Sequence, residues 1–566
     1  MIRIPTKALP DRRFSMSALP ADLVFTGGSI ATMDPARRRA TTVAVTGGRI
    51  SAVGHDEIRE LIGARTEVVD LTGRLLLPGF QDAHIHPVVA GLEYARCNLT
   101  GTSDAASTLA AVRSYADAHP ELPWIVGGGW SMEAFDGGTP TAQLLDTVVR
   151  DRPVFLPNRD HHGAWVNTRA LAIAGITRET PDPIGGRIER DADGEPTGML
   201  QESAMDLVGR HIPQHTPDDR LEALLHAQQH LHSLGITAWQ DALLGDTSGI
   251  SDVSDAYLTA AGDGSLTARV AGALWWDRDR GSEQIPGLLR RRSRLRVGRM
   301  RADTVKIMLD GVAESRTAAM ISPYLDGCGC ATTHSGTSFV DPDKLRDFVT
   351  ELDALGFQVH FHALGDRAVR DALDAVEAAR TANGFRDTRP HLAHLQVVDP
   401  ADIPRFRALG ATANMQPLWA AHEPQMDELT IPFLGDERTR RQYPFGSLLR
   451  SGATLAAGSD WPVSSADPIH GIHVAVNRVL PGRDGQGRPV FLPEQRIDLT
   501  SALTAYTAGS AYVNHLDDTG SIEVGKRADL VVLDRDPFTG PADLIAETQA
   551  VLTYVGGDRV YAAPSA

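Results

Sequence analysis

The chain is poor in sulfur and has no long apolar run. Three of its 566 residues are cysteines, Cys97, Cys328 and Cys330. An odd number cannot pair completely, and Cys328 and Cys330 stand one glycine apart, too close for an easy bridge. That argues against a disulfide-built secreted scaffold and for a reducing, cytoplasmic setting. No run of about 18 apolar residues occurs, and the opening MIRIPTKALPDRRFSMSALP lacks the apolar core of a leader, so neither membrane spanning nor export is expected. Excess positive charge is also missing: 55 Lys plus Arg against 72 Asp plus Glu leave a formal charge of −17. Such a surface repels phosphate backbones and anionic lipid, which disfavours nucleic acid as a partner. There is no Gly-x-x-x-x-Gly-Lys-Ser/Thr loop and no Gly-x-Ser-x-Gly elbow, so phosphate cradling and serine acyl transfer have no support. The glycines of WIVGGGW, residues 124–130, lack the strand and helix context of a nucleotide site and read as a tight turn.

What is present is a globular balance, with 42% hydrophobic and 22% charged residues, which rules out a disordered chain. From Ala21 the pattern is of short alternating strands broken by glycine (ADLVFTGGSIATMDP, TTVAVTGGRISAVG, TEVVDLTGRLLLP). The same texture returns only at the far end, in GSIEVGKRADLVVLDRDP and VLTYVGGDRVY. The two ends are therefore expected to form one β unit, residues 21–75 with 519–566, after a flexible tail at 1–20. Between them eight apolar, β-rich segments alternate with helical patterns: GFQDAHIH, ITAWQDA, RVAGALWW, TVKIMLDG, FQVHFHA, RPHLAHLQ, GATANMQP and TLAAGSDW. Eight alternations predict a (β/α)8 barrel over 76–518, an α/β fold. The first two segments are too far apart for one helix, so residues 88–235 are expected to be largely an insertion capping the active site.

Twenty histidines predict about 0.7 His-x-His pairs by chance, and three occur: His84/His86, His230/His232 and His360/His362. Residues i and i+2 share a face on a strand but diverge on a helix. His230 and His232 lie in the helical LLHAQQHLHSLG and read as packing or surface residues. His84 and His86 end the first strand segment, His360 and His362 the fifth, His394 the sixth and Asp460 the eighth, all at the rim where such barrels carry chemistry. Imidazoles with a carboxylate suit zinc or a similar ion. Lys306 sits in the apolar TVKIMLDG. It either faces outward or pairs with a carboxylate such as Asp310, or it is buried and carboxylated by CO2 to bridge two ions. CGC at 328–330 has no second cysteine pair and reads as a loop.

These motifs resemble the metal-dependent amidohydrolase superfamily, and within it the YtcJ-like branch. LLLPGFQDAHIHP, HFHALGDRAV, RPHLAHLQ, GSDWPV and GSIEVGKRADLVVLD match its first, fifth, sixth, eighth and closing segments, nearly end to end. The resemblance implies a distorted barrel with a composite β-sandwich built from both chain ends. It implies metal ligands at His84, His86, His362, His394 and Asp460, with His360 behind them. It also implies one or two divalent ions, expected to be zinc, and a carboxylated lysine at Lys306. RDHHGAWVNTRAL is similar to a branch motif written Asp-Gly-His-x-x-Trp-Val-Asn, which marks His162, Trp165 and Asn167, although His161 replaces the glycine. Glu202 also falls in a recurring position, so His162, Trp165 and Glu202 are candidate substrate contacts, with a capping or packing role within the insertion as the alternative for His162 and Glu202.

The reaction implied is hydrolysis of an amide or N-formyl C–N bond in a small molecule by metal-activated water, with Asp460 as base and then acid. Deamination and ester, lactone or cyclic-amide hydrolysis use the same attack on an sp2 carbon and stay open, as does a barrel that only binds. Dimers are common among related barrels, which leaves a homodimer open.

Overall fold

The computed structural model describes residues 20–246 and 251–564. The expected tail at 1–20 lies outside the described residues except for Pro20.

Each of the eight segments singled out in the sequence carries one strand of a parallel sheet. In order they are strand 1, Phe80–Ile85; strand 2, Ile236–Leu244; strand 3, Arg269–Trp275; strand 4, Met300–Met308; strand 5, Gln358–Ala363; strand 6, His391–His394; strand 7, Thr412–Met415; and strand 8, Thr454–Ala457. Neighbours in sequence are neighbours in the sheet. Helices such as Pro342–Ala354 and Asp366–Asn383 fill the crossovers. The first of these begins where the Asp341 side chain accepts the amides of Asp343 and Lys344, satisfying donors that have no partner within the helix. The ring is drawn shut past strand 8, where Asp460 N donates to the His84 carbonyl at 2.8 Å and His86 N to that of Trp461 at 2.9 Å.

The barrel interior departs from the branched apolar filling usual for such a fold. Register sets Thr304 beside Gln358, Lys306 beside His360, and Met308 beside His362 across strands 4 and 5, with His391 beside His360 across strands 5 and 6. Period-two alternation then turns Thr304, Lys306, Gln358 and His360 to one face, and all of them are buried. Phe361, Val359, Val305 and Ile307 take the other face and join the apolar layer under the helices.

The chain ends meet as expected. Leu530–Leu533 pairs antiparallel with Leu75–Pro78 inside one eight-stranded sheet that also holds Leu23–Ala31 and Ala550–Val555. In a flat sheet those last two strands, three steps apart, would be separated by about 14 Å. Phe25 and Tyr554, one on each, have ring centroids 5.2 Å apart, so the sheet folds over itself and seals a shared core as a sandwich. Arg269, at the start of strand 3, grips Asp529 through two bonds of 2.6 and 2.9 Å and fastens this sheet to the barrel.

Between strands 1 and 2 the chain builds a further six-stranded sheet: Cys97–Asn98, Ile125–Gly128, Val154–Pro157, Gly163–Val166, Pro196–Glu202 and Gly186–Arg190, in spatial order. Ile125–Gly128 corrects the reading of WIVGGGW as a turn. Its glycines serve a close approach between strands, since a Cβ at Gly127 would lie 2.0 Å from the Cys97 carbonyl oxygen. His232 lies in the helix Pro217–Ser233, where Ile236 O and Thr267 Oγ1 occupy its two ring nitrogens, as expected for a packing residue.

Candidate metal centre

Strand ends from around the barrel bring the candidate ligands to one cavity of about 1030 Å3, which His84, His86, Lys306, His362, His394 and Asp460 all line. His84 Nε2 lies 3.1 Å and His86 Nε2 3.0 Å from the same oxygen, Asp460 Oδ1. The donor atoms of these three residues fall within 4.8 Å of one another. His394 Nδ1 is 4.0 Å from the other carboxylate oxygen. The His362 ring centroid is 4.5 Å from that of His394, while its Nε2 meets the Gly311 carbonyl at 3.3 Å.

The local chain explains this convergence. Asp82, His84 and His86 share a face by alternation, and Asp82 accepts the amides of His84 at 2.9 Å and Ser459 at 3.0 Å, tying strand 1 to the turn after strand 8. That turn can approach only because residue 458 is glycine, for a Cβ there would sit 2.6 Å from His84 N and 2.9 Å from Asp82 Oδ1. Asp460 (φ 57°), His394 (φ 80°), Glu202 (φ 52°) and His161 (φ 63°) line the same cavity in left-handed conformations. Each costs on the order of 1–3 kcal/mol, a strain that persists at functional sites.

Electrostatics prepares these groups to hold a cation. Burial, reinforced by the charge Lys306 carries when protonated, drives His84 down to about 3. Burial likewise holds His362 and His394 far below the ordinary imidazole range. All three therefore carry free lone pairs at neutral pH, as metal ligands must. Burial pushes Asp460 upward, but the imidazoles of His84, His86 and His394 gathered around it outweigh burial and keep the carboxylate ionised. His86 Nδ1 and both ring nitrogens of His394 are buried with no hydrogen-bond partner among the described residues. Orphaned acceptors beside a carboxylate are costly unless a cation meets them, and this donor set suits a divalent first-row ion.

Lys306 neither faces outward nor pairs with Asp310. It is buried, its Nζ lies 3.4 Å from His360 Nε2, and burial lowers it to about 7. Asp310 is occupied instead by three backbone amides, those of Ala319, Leu364 and Gly365. His360 stands behind the cluster, with Nε2 2.8 Å from His84 Nδ1.

From the insertion, His162 and Glu202 reach the same cavity and pair, with His162 Nδ1 3.0 Å from Glu202 Oε1. Burial alone would lower His162, but the Glu202 carboxylate overcomes it and raises the imidazole to about 9. Thr317 Oγ1 donates to the same Glu202 oxygen at 2.7 Å. Trp165 is not on the cavity wall, contrary to the sequence expectation. It packs against Trp130 and Phe135 in the core of the six-stranded sheet, with its indole N–H spent on the Thr141 carbonyl at 2.8 Å. Asn167 caps the helix Thr168–Ala174 by accepting Ala170 N. Sequence reading passed over His391, whose ring lies 3.9 Å from that of His360. The only signal for it was its place in RPHLAHLQ, three residues before His394.

Comparison with known proteins agrees with this architecture. Residues 67–561 match the model of the amidohydrolase family. The chain is 35% identical to LONG AFTER FAR-RED 3 of Arabidopsis thaliana over 96% of its own length and 92% of that protein. It is 31% identical to YtcJ of Bacillus subtilis over 95% of this chain and 99% of the relative. Identity to N-substituted formamide deformylase of Arthrobacter pascens is 29%, over 95% and 97%. A solved metal-dependent hydrolase from Pyrococcus furiosus superposes with a TM-score of 0.68 at 27% identity, covering 91% of this chain and all of that one.

Proposed function

This chain belongs to the amidohydrolase family, in its YtcJ-like branch, and on that premise we propose that it hydrolyses an amide or N-formyl C–N bond of a small molecule. Family and neighbours make it a metal-dependent hydrolase. The bond type is our reading, supported by its likeness to N-substituted formamide deformylase. The observation that carries the reading is the meeting of His84 Nε2 and His86 Nε2 on one oxygen of Asp460 beside the neutral His394.

His84, His86, His362, His394 and Asp460 would hold the ion, which we take to be zinc. When bound, such an ion supplies Lewis acidity, lowering the pKa of water from about 15.7 toward about 7 and polarising the substrate carbonyl. Asp460, ionised and fixed by its backbone bond to the His84 carbonyl, takes the proton of the attacking water and returns it to the leaving nitrogen. His162 is charged at neutral pH and bound through Nδ1 to Glu202, which leaves its Nε2–H to hold the carbonyl oxygen as negative charge develops there. Lys306 adds a carboxylate if its amine bonds the carbon of CO2 and releases a proton, and that group would join a second ion to the first.

The test is product analysis on protein purified without chelator. N-substituted formamides should yield formate and amine in equal amounts, and chelation should stop the reaction. Ammonia release from amino-heterocycles, or hydrolysis of esters and lactones alone, would overturn the assignment of the bond.

A further inference from the structure

A line of hydrogen bonds runs through the barrel from its far end to His84, and its direction is fixed at the start. Gln358 Nε2 lies 2.8 Å from the Arg389 carbonyl and 2.7 Å from that of Val513. Carbonyls only accept, so the amide nitrogen must face them and Oε1 must face back into the barrel. That oxygen accepts from Thr304 Oγ1 at 2.7 Å and Gln240 Nε2 at 3.2 Å. Gln240 Nε2 also reaches Asn514 Oδ1 at 3.3 Å, so its own Oε1 is left for His360 Nδ1 at 2.7 Å. His360 is then protonated on Nδ1 and bare on Nε2. The bare nitrogen accepts from Lys306 Nζ at 3.4 Å and from His84 Nδ1 at 2.8 Å. His84 must therefore carry its proton on Nδ1, and its lone pair stands on Nε2, the atom 3.1 Å from Asp460 Oδ1. Gln240, Gln358, His360 and His84 are all buried, so water does not compete for these bonds.

We propose that Gln240 and Gln358 are positioning residues that lock His84 in the one tautomer able to bind the ion through Nε2. The inference rests on the reading of His84 as a ligand. Partners of this kind behind a ligating imidazole contribute about 10- to 100-fold to metal affinity.

The test uses the full chain with 15N-labelled histidine, the His84 resonances being assigned by their loss in His84→Gln. In the metal-free wild type His84 should be protonated on Nδ1 and not on Nε2. Gln240→Leu removes the acceptor from His360; it should shift His84 toward the Nε2–H form and weaken zinc binding about 10- to 100-fold in chelator competition. Gln240→Glu keeps an acceptor there and should restore both the tautomer and most of the affinity. An Nε2-protonated His84 in the wild type overturns the proposal without any variant. Normal zinc uptake with an unchanged Gln240→Leu protein overturns this inference alone, whereas a wild type that takes up no zinc overturns the ligand reading beneath it.

Discussion

His84 and Asp460 are joined twice: Asp460 N donates to the His84 carbonyl at 2.8 Å, and Asp460 Oδ1 lies 3.1 Å from His84 Nε2. The first bond draws the last barrel strand onto the first; the second belongs to the candidate metal centre. Closure of the barrel and assembly of the site therefore occur at the same residues. Weakening the turn after strand 8 should cost both at once.

Asp460→Asn separates the two roles. Asparagine accepts the left-handed conformation observed at φ 57°, and its amide oxygen can still face the ion. It cannot take a proton from water. We expect metal content near that of the wild type and a kcat lower by about 10²- to 10⁴-fold. Wild-type turnover in the Asp460→Asn protein would remove Asp460 from its place as base.

Gly458→Ala attacks the same turn through sterics alone. The new Cβ would stand 2.6 Å from His84 N and 2.8 Å from His84 Cβ, so backbone must move. Such overpacking costs about 1–3 kcal/mol. A lower melting temperature together with reduced metal retention is expected. A stable protein with full metal content would show that the approach of the two strands is loose.

Much of this was legible because barrel strands and their rim histidines announce themselves by period two. FQVHFHA puts His360 and His362 on one face whatever surrounds it, and LLHAQQHLHSLG, being helical, separates His230 from His232. Other features depend on partners far away in the chain. Trp165 lies in a motif that promised a substrate contact, yet Trp130 and Phe135 fold around it. The sequence offers Lys306 a partner in Asp310, but three backbone amides take that carboxylate. Gln240 and Gln358 carry no local signal, since their importance comes from what distant segments of the chain place around them.

Trp165→Phe should consequently alter stability and not recognition. The ring loses its bond to the Thr141 carbonyl, leaving that acceptor short of a partner at a cost of about 1–3 kcal/mol. Thermal unfolding should shift downward while KM stays unchanged. A changed KM with an unchanged melting temperature would restore the substrate contact expected from the motif.

Glu202→Gln should move the pH profile. Burial depresses His162, and the Glu202 carboxylate more than compensates, raising it to about 9. Since the folded value lies above the ordinary 6.5, the pair's contribution to stability is complete below about pH 6.5 and is lost as pH rises through about 9. If the charged ring holds the substrate oxygen, the basic limb of kcat/KM follows the same titration. Removing the carboxylate lets burial dominate, and the basic limb should fall below neutrality. A limb that stays in place would assign it to another group.

Carboxylation of Lys306, as proposed, would set the number of ions. A buried amine lowered to about 7 is substantially uncharged at neutral pH and so is nucleophilic toward CO2. The resulting carbamate would bring a further carboxylate into the cavity that His362 and His394 line. In bicarbonate buffer the wild type should hold about two zinc ions per chain by inductively coupled plasma mass spectrometry, and Lys306→Ala about one. Lys306→Glu, which places a carboxylate on the same strand, should recover part of the second. Equal content near one in the wild type and Lys306→Ala would instead leave the amine as a donor to His360 Nε2, at the 3.4 Å observed. In that case the alanine variant should lose activity only to the extent that His360 is disturbed.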